Sequence, residues 1–435
     1  MRFLFLLCSS GLALSGCETR QSAVIVTARP RVAAPTSDSA RVWPAKAPAA
    51  PDTADYTRAY QGSFESPRAD TLILLGKRQY WLQLRQVADS TKPLDYAPAY
   101  VVGRPFAAPS DTAWRAHRVR GYEGTYTFTL RDSARRSIVF RKRLHKRDFQ
   151  AVAAGEVLTV SEPQFRYLGY SAGLNGLLFI AYFGIPYSDV VDRTMLLLDA
   201  RTGQVKAQRG IGSATFDAID CDPQVAPTGL AVLTCAGEVL RAGQPPLSLR
   251  RPRAKLRAAR FLTDTTLLAV YEFGTYQPVK QSDTDAEDNA DSPPVAKAAA
   301  TAEMTQRPAE FVSTPAQRRA ANAFVLSTSG RVLGKFRYDG WAGEMGYAMP
   351  RCFSPITRTY YFSNGGQSVF VLPKAQPGHV TELPLKKMSR FRYPQRSQEI
   401  KLILPYAVNT QSMVLYIDTL HPQQVRYRLQ PPPEG

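Results

Sequence analysis

The feature that most constrains this fold is an alternation of apolar and polar residues at every second position, broken by tight turns, while helical periodicity is scarce. In Thr125-Tyr126-Thr127-Phe128-Thr129-Leu130 the alternation puts Tyr126, Phe128 and Leu130 on one face of a strand. Five later stretches read as strand, turn, strand: Met195 to Lys206 around Thr202-Gly203, Val232 to Arg241 around Ala236-Gly237, Phe324 to Phe336 around Ser329-Gly330, Tyr360 to Leu372 around Gly365-Gly366, and Val414 to Leu429 around His421-Pro422. Glycine at four of the turns supplies a positive φ without a Cβ clash. Each hairpin exposes apolar faces until a neighbour covers them.

Several hairpins recur at roughly the spacing of a propeller blade, and radial stacking would bury their faces and protect their edges. The expected fold is therefore all-β, with a propeller-like domain over residues 151–430. Ahead of it, Tyr60-Gln61-Gly62-Ser63-Phe64 is echoed by Tyr122-Glu123-Gly124-Thr125-Tyr126, each copy leading into strand-like sequence. Residues 57–150 are read as a separate small antiparallel barrel or sandwich; two stacked β-sandwiches are the alternative architecture. Leu198-Asp199-Ala200-Arg201-Thr202-Gly203 resembles the Asp-x-x-Thr-Gly hairpin of quinoprotein-type propeller repeats, without their tryptophan. Cys352-Phe353-Ser354-Pro355 resembles the opening strand of WD40-like blades. Both resemblances concern architecture and imply no cofactor.

The amino terminus carries a different message. Met1-Arg2 is followed by an apolar stretch from Phe3 to Leu14, of signal-peptide length and too short to span a bilayer. It ends in Leu14-Ser15-Gly16-Cys17, which resembles the lipobox of bacterial lipoproteins. That resemblance implies cleavage between Gly16 and Cys17, removal of residues 1–16, and acylation of Cys17, palmitate included. Glu18 is not the Asp associated with inner-membrane retention in some bacteria, so the outer membrane is favoured, with the folded part in the periplasm or at the surface. Residues 17–56 are rich in Ala, Pro, Thr and Ser and read as a disordered tether.

Composition narrows the partners. The 435-residue chain has a formal net charge of +19. An exported basic protein meets anionic lipid, lipopolysaccharide or an acidic envelope protein rather than nucleic acid. Basic residues concentrate at Arg135, Arg136, Arg141, Lys142, Arg143, Lys146 and Arg147, and again at Arg250, Arg251, Arg253, Lys255, Arg257 and Arg260. With Cys8 discarded and Cys17 acylated, Cys221, Cys235 and Cys352 remain in an oxidising compartment. Cys221 and Cys235 flank a turn-rich stretch and either bridge neighbouring strands or stay as free thiols. The four histidines are dispersed and no metal-ligand spacing occurs, so no metal is expected.

A biased stretch at about 278–321 reads as a disordered acidic and Ala-rich insertion. Its Asp283-to-Asp288 run is not an EF-hand, because Asp288 and Pro294 stand where glycine and glutamate are needed. Gly169-Tyr170-Ser171-Ala172-Gly173 fits the Gly-x-Ser-x-Gly elbow, with Asp189 or Asp199 and His379 or His421 following in triad order. An elbow serine should open an amphipathic helix, and the sequence after Ser171 is strand-like. The function expected is therefore a lipid-anchored envelope platform for binding or assembly, without catalysis or cofactor. The alternatives are a serine hydrolase using Ser171 and a structural envelope component with no discrete ligand.

Overall fold

The computed structural model describes residues 57–59, 68–96, 118–153, 155–161, 163–185, 191–213, 219–278, 309–343, 346–391, 395–408 and 411–430. All lie in one compact unit, Asp55–Gly435. Residues 1–56, with Gly16, Cys17 and the tether, lie outside the described residues, as do the first glycine-aromatic copy at 60–64 and the acidic run 283–291.

Strands dominate. A five-stranded sheet comes first, built from Thr57–Ala59, Arg68–Leu75, Arg78–Tyr96, Arg118–Asp132 and Ile138–His145. Arg118–Asp132 pairs antiparallel with Arg78–Tyr96 on one edge; on the other it pairs antiparallel with Ile138–His145 and parallel with Thr57–Ala59. Among the described residues no strand pairing closes this sheet into a barrel. Tyr126, Phe128 and Leu130 are fully buried on its inner face. Gly124 answers to close approach, since a Cβ there would lie 2.4 Å from the Tyr126 hydroxyl.

Five four-stranded sheets follow in chain order, four of them wholly antiparallel, giving the propeller-like succession. The first blade is Gln164–Ser171, Gly176–Gly184, Val191–Asp199 and Val205–Ser213; the second is Gln224–Val225, Ala231–Leu233, Glu238–Arg241 and Gln244–Ser248. The third is Ala254–Phe261, Thr266–Phe273, Ala323–Ser327 and Val332–Phe336, and the fourth is Arg351–Ser354, Thr359–Asn364, Ser368–Pro373 and Thr381–Pro384. In the fifth, Glu399–Val408, Gln411–Asp418 and Val425–Gln430 are joined by Ser389–Arg390, which precedes them in sequence and pairs parallel to the last strand. Each of the five hairpins expected from sequence falls in a different blade. The one turn without glycine uses a carboxylate instead: Asp418 Oδ1 accepts from the backbone N–H groups of Leu420 (2.8 Å) and His421 (2.9 Å).

Both faces of the blades are covered, which explains runs such as Leu177 to Phe183 that are apolar at nearly every position. Leu177, Phe179, Ala181 and Phe183 pack towards the five-stranded sheet, whereas Leu178 packs with Val232 of the second blade. In the third blade, Leu267, Ala269 and Tyr271 join a core with the second, while Leu268 and Val270 join one with the fourth. Tyr361, Val369 and Val371 of the fourth blade pack with Met413, Leu415 and Ile417 of the fifth. The inner face of the five-stranded sheet shares a single core with the first blade across residue 150, knitted by Phe128–Phe179 and Phe149–Phe183 ring contacts at 5.1 Å.

The insertion is shorter than its composition implies. Thr275–Pro278 pairs with Ala309–Val312 as an antiparallel ribbon, and Pro315–Arg319 is a short helix capped by Thr314. Backbone pairing and a cap thus hold 309–319, where the residue types alone suggested disorder.

Candidate functional site

A charged cluster joins the segment Ile219 to Asp222 to the first, third and fourth blades. Residues Ile219 to Asp222 run ahead of the second blade and against the third: Asp220 donates its backbone N–H to the Arg257 carbonyl (2.9 Å) and bridges Ala258 in parallel. The Asp220 carboxylate meets Arg351 of the fourth blade at 2.5 Å and accepts from the Met349 N–H at 2.7 Å. Asp222 pairs with Arg166 of the first blade at 2.8 Å and lies 3.7 Å from Arg193. Arg193 is buried and also donates to the Cys221 and Ile219 carbonyls.

Arg260, on the first strand of the third blade, completes the cluster. Burial lowers its pKa to about 10 and the nearby Arg351 adds to the lowering, while Asp220, Asp222 and Tyr360 oppose it. Its buried Nε has no hydrogen-bond partner. Arg166, Arg193, Arg260 and Arg351 thus surround two carboxylates, and the excess positive charge with an unused donor suits an incoming carboxylate or phosphate oxygen.

A cleft of about 520 Å³ between the fourth and fifth blades is also polar, lined by Glu382, Lys387, Arg396, Glu399, Asp418 and Arg426 among others. Its central acid, Glu399, is already engaged. Arg426 grips Glu399 with two hydrogen bonds, one at 2.7 Å, and the Arg396 N–H adds a third at 3.0 Å. The Arg426 hydrogen bonds hold the Glu399 carboxyl below its usual range, against the opposing effect of burial.

The residues singled out from sequence take varied places. Ser171 is fully buried at the end of the first strand of the first blade, its hydroxyl donating to the Gly229 carbonyl and accepting from the Leu174 N–H. A hairpin turn follows it, not a helix. Asp189 and His117 lie outside the described residues. Asp199 is a turn anchor: burial would raise its pKa, but Lys206 at 3.0 Å and the N–H groups of Arg201 and Thr202 bring it well below the usual carboxylate range. The Asp-x-x-Thr-Gly motif is thus a hairpin device, and its Gly203 (φ +70°) sits where a Cβ would come 2.5 Å from Phe140.

Cys221 and Cys235 form a disulfide with Cα atoms 5.6 Å apart. Cys352 is a free thiol whose pKa burial pushes up to about 12. The basic runs divide by task. Lys146 is buried and donates to the Thr159 carbonyl, and Arg147 pairs with buried Glu123. Arg251 stacks over Phe324 and Tyr271, Lys255 over Phe311 and Tyr276, and Arg257 pairs with Glu272. Arg141 and Arg143 stay exposed. Sequence reading picked out Arg260 only as part of a run, and it missed Asp220, Asp222, Arg166, Arg193 and Arg351. Among the described residues no group of three His, Cys, Asp or Glu side chains forms a metal site, and no helix is long and apolar enough to cross a membrane.

No family model matches this chain, and no curated protein matches it. Among solved structures it is similar to the β-propeller domain of Cps50 (Swd1) from Myceliophteria thermophila, at 11% identity and a TM-score of 0.20, over 63% of this chain and 88% of that one. It is also similar to the WD40 β-propeller domain of Doa1, at 9% identity and a TM-score of 0.23, over 71% of this chain and 88% of that one.

Proposed function

We propose that this is a lipid-anchored cell-envelope protein, held at the outer membrane through Cys17, whose propeller-like blades form a non-enzymatic binding or assembly platform. The anchor rests on Leu14-Ser15-Gly16-Cys17 at the end of a signal-like leader. One acyl chain gives only marginal binding, whereas the two or three implied at a lipobox cysteine hold a protein firmly. The platform reading rests on the arginine cluster around Asp220 and Asp222, where Arg260 keeps a buried donor unused. Its natural counterpart is an acidic group on an envelope partner.

Cross-linking in native membranes followed by affinity purification tests this reading. The expected result is a stoichiometric acidic partner that is lost with Arg260→Gln while the protein stays folded. Recovery of the same partner by the variant would reject the cluster as the locus. A chain with no stoichiometric partner would instead be a structural component.

A further inference from the structure

The five-stranded sheet turns one face to the first blade and leaves the other exposed. Strand register fixes what that outer face carries. One row across the sheet reads Leu72, Trp81, Arg131, Ile138. Two rows further along it reads Arg68, Arg85, Thr127, Arg143, and Arg141 stands between them beside Thr129. Leu74 is 61% exposed and Trp81 45%. A bulge between Leu130 and Arg131 lets the neighbouring Ile138 and Val139 both face solvent. Leu72, Leu74, Trp81, Ile138 and Val139 gather at the end of the sheet that carries two hairpin turns, where Lys77, Arg78, Arg135 and Arg136 stand, while exposed Val87 lies beyond Arg85 towards the other end. Arg85, Arg141 and Arg143 make no ion pair among the described residues. An apolar patch is therefore bracketed by cations on both sides, on a strand surface that carries few acids: Asp70 is engaged by Arg68, and Asp132 accepts from the backbone of its own turn.

The geometry points to this face as the surface on which the protein lies against an anionic lipid bilayer. Aliphatic side chains and the Trp81 indole enter the interfacial region, where tryptophan is favoured. The guanidinium groups meet phosphate oxygens bidentately. A lipid surface fits better than an acidic protein because an apolar patch and rows of cations share one sheet face, so that apolar tips and guanidinium groups can engage acyl chains and phosphates together. Chain connectivity agrees: Thr57–Ala59, the first described segment after the tether, is an edge strand of this same sheet. The stretch read from sequence as a tether, residues 17–56, leads directly into that strand. The inference rests on the lipid-anchored reading for the protein's location, but the face would act without acylation.

The test uses the leader-free chain with Cys17→Ser, which has no lipid of its own, in sedimentation with phosphatidylcholine vesicles with and without phosphatidylglycerol. Binding is expected only with phosphatidylglycerol, weakening as salt rises, with a blue shift of tryptophan emission that Trp81→Phe removes. Each basic residue at such a surface is worth about a factor of five, so Arg85→Gln, Arg141→Gln and Arg143→Gln together should weaken binding about a hundredfold before screening. Circular dichroism checks that the triple variant is folded. Equal affinity for neutral vesicles, or an unweakened triple variant, would overturn the inference; so would binding to soluble polyglutamate without binding to vesicles, which would mark an acidic protein as the occupant. Failure of acylation at Cys17 would fall on the anchor and leave this vesicle binding intact, so the two readings fail separately.

Discussion

The hydroxyl of Ser171 donates to the carbonyl oxygen of Gly229 at 2.7 Å, joining the first hairpin of one blade to a turn of the next. The same carbonyl accepts from the Gly173 N–H at 3.0 Å. A serine in a Gly-x-Ser-x-Gly setting thus works here as a staple between blades. Ser171→Ala should cost about 1 to 2 kcal/mol, the usual loss for a buried hydrogen bond that leaves its acceptor partly unmatched. Urea denaturation measures that loss. A fluorophosphonate probe should label wild type and variant equally little; labelling that disappears with Ser171→Ala would contradict this role.

The Cys221–Cys235 disulfide closes a loop with a sequence separation of 14. In the chain-entropy picture a loop of this size adds about 3 kcal/mol. Reduction, or the double change Cys221→Ala and Cys235→Ala, should lower unfolding free energy by that order. In the oxidised leader-free chain with Cys17→Ser, denaturation should expose one reactive thiol, Cys352. The folded chain should react slowly, since burial holds the Cys352 thiol at about 12.

Arg426 and Glu399 form a buried, doubly hydrogen-bonded pair in the fifth blade. Arg426→Ala strands a buried carboxylate and should cost about 3 kcal/mol. The Glu399 pKa is lower folded than unfolded, so its contribution is present above the unfolded value, near 4.3, and is lost as pH falls through the folded value. Acid unfolding curves should show this loss in the wild type, and Glu399→Gln should flatten it.

Phe128 tests whether the first sheet and the first blade stand or fall together. It is fully buried and its ring meets Phe165 and Phe179 across the two layers. Phe128→Ala should cost about 3 to 5 kcal/mol. Amide exchange should rise in both Arg118–Asp132 and Gly176–Gly184; a rise confined to the first strand would mean the layers open independently.

The blades were legible because local physics writes them locally. Glycine is required at Gly203, Gly237, Gly330 and Gly365, all of positive φ, and alternation or continuous apolarity marks the flanking strands. Short strands were not legible: Gln224–Val225 has too few residues to show a period, and Ser389–Arg390 is recruited by a partner that follows it. The end of the insertion was misjudged because pairing of Ala309–Val312 with Thr275–Pro278 overrides an Ala-rich composition. The charged cluster was invisible for a simpler reason. Asp220 and Arg351 are 131 residues apart, and nothing in the local pattern of either announces the other. The Ser171 motif shows the converse, where a familiar local string is given its role by a distant backbone carbonyl.

The claim on which location and function both depend is acylation of Cys17, and mass spectrometry of the amino-terminal peptide from membranes of the native host tests it most directly. The expected chain begins at Cys17 and carries a diacylglyceryl group, with Cys17→Ala releasing the protein from the membrane fraction. An intact leader, or an unmodified cysteine in a protein that still fractionates with membranes, would contradict it.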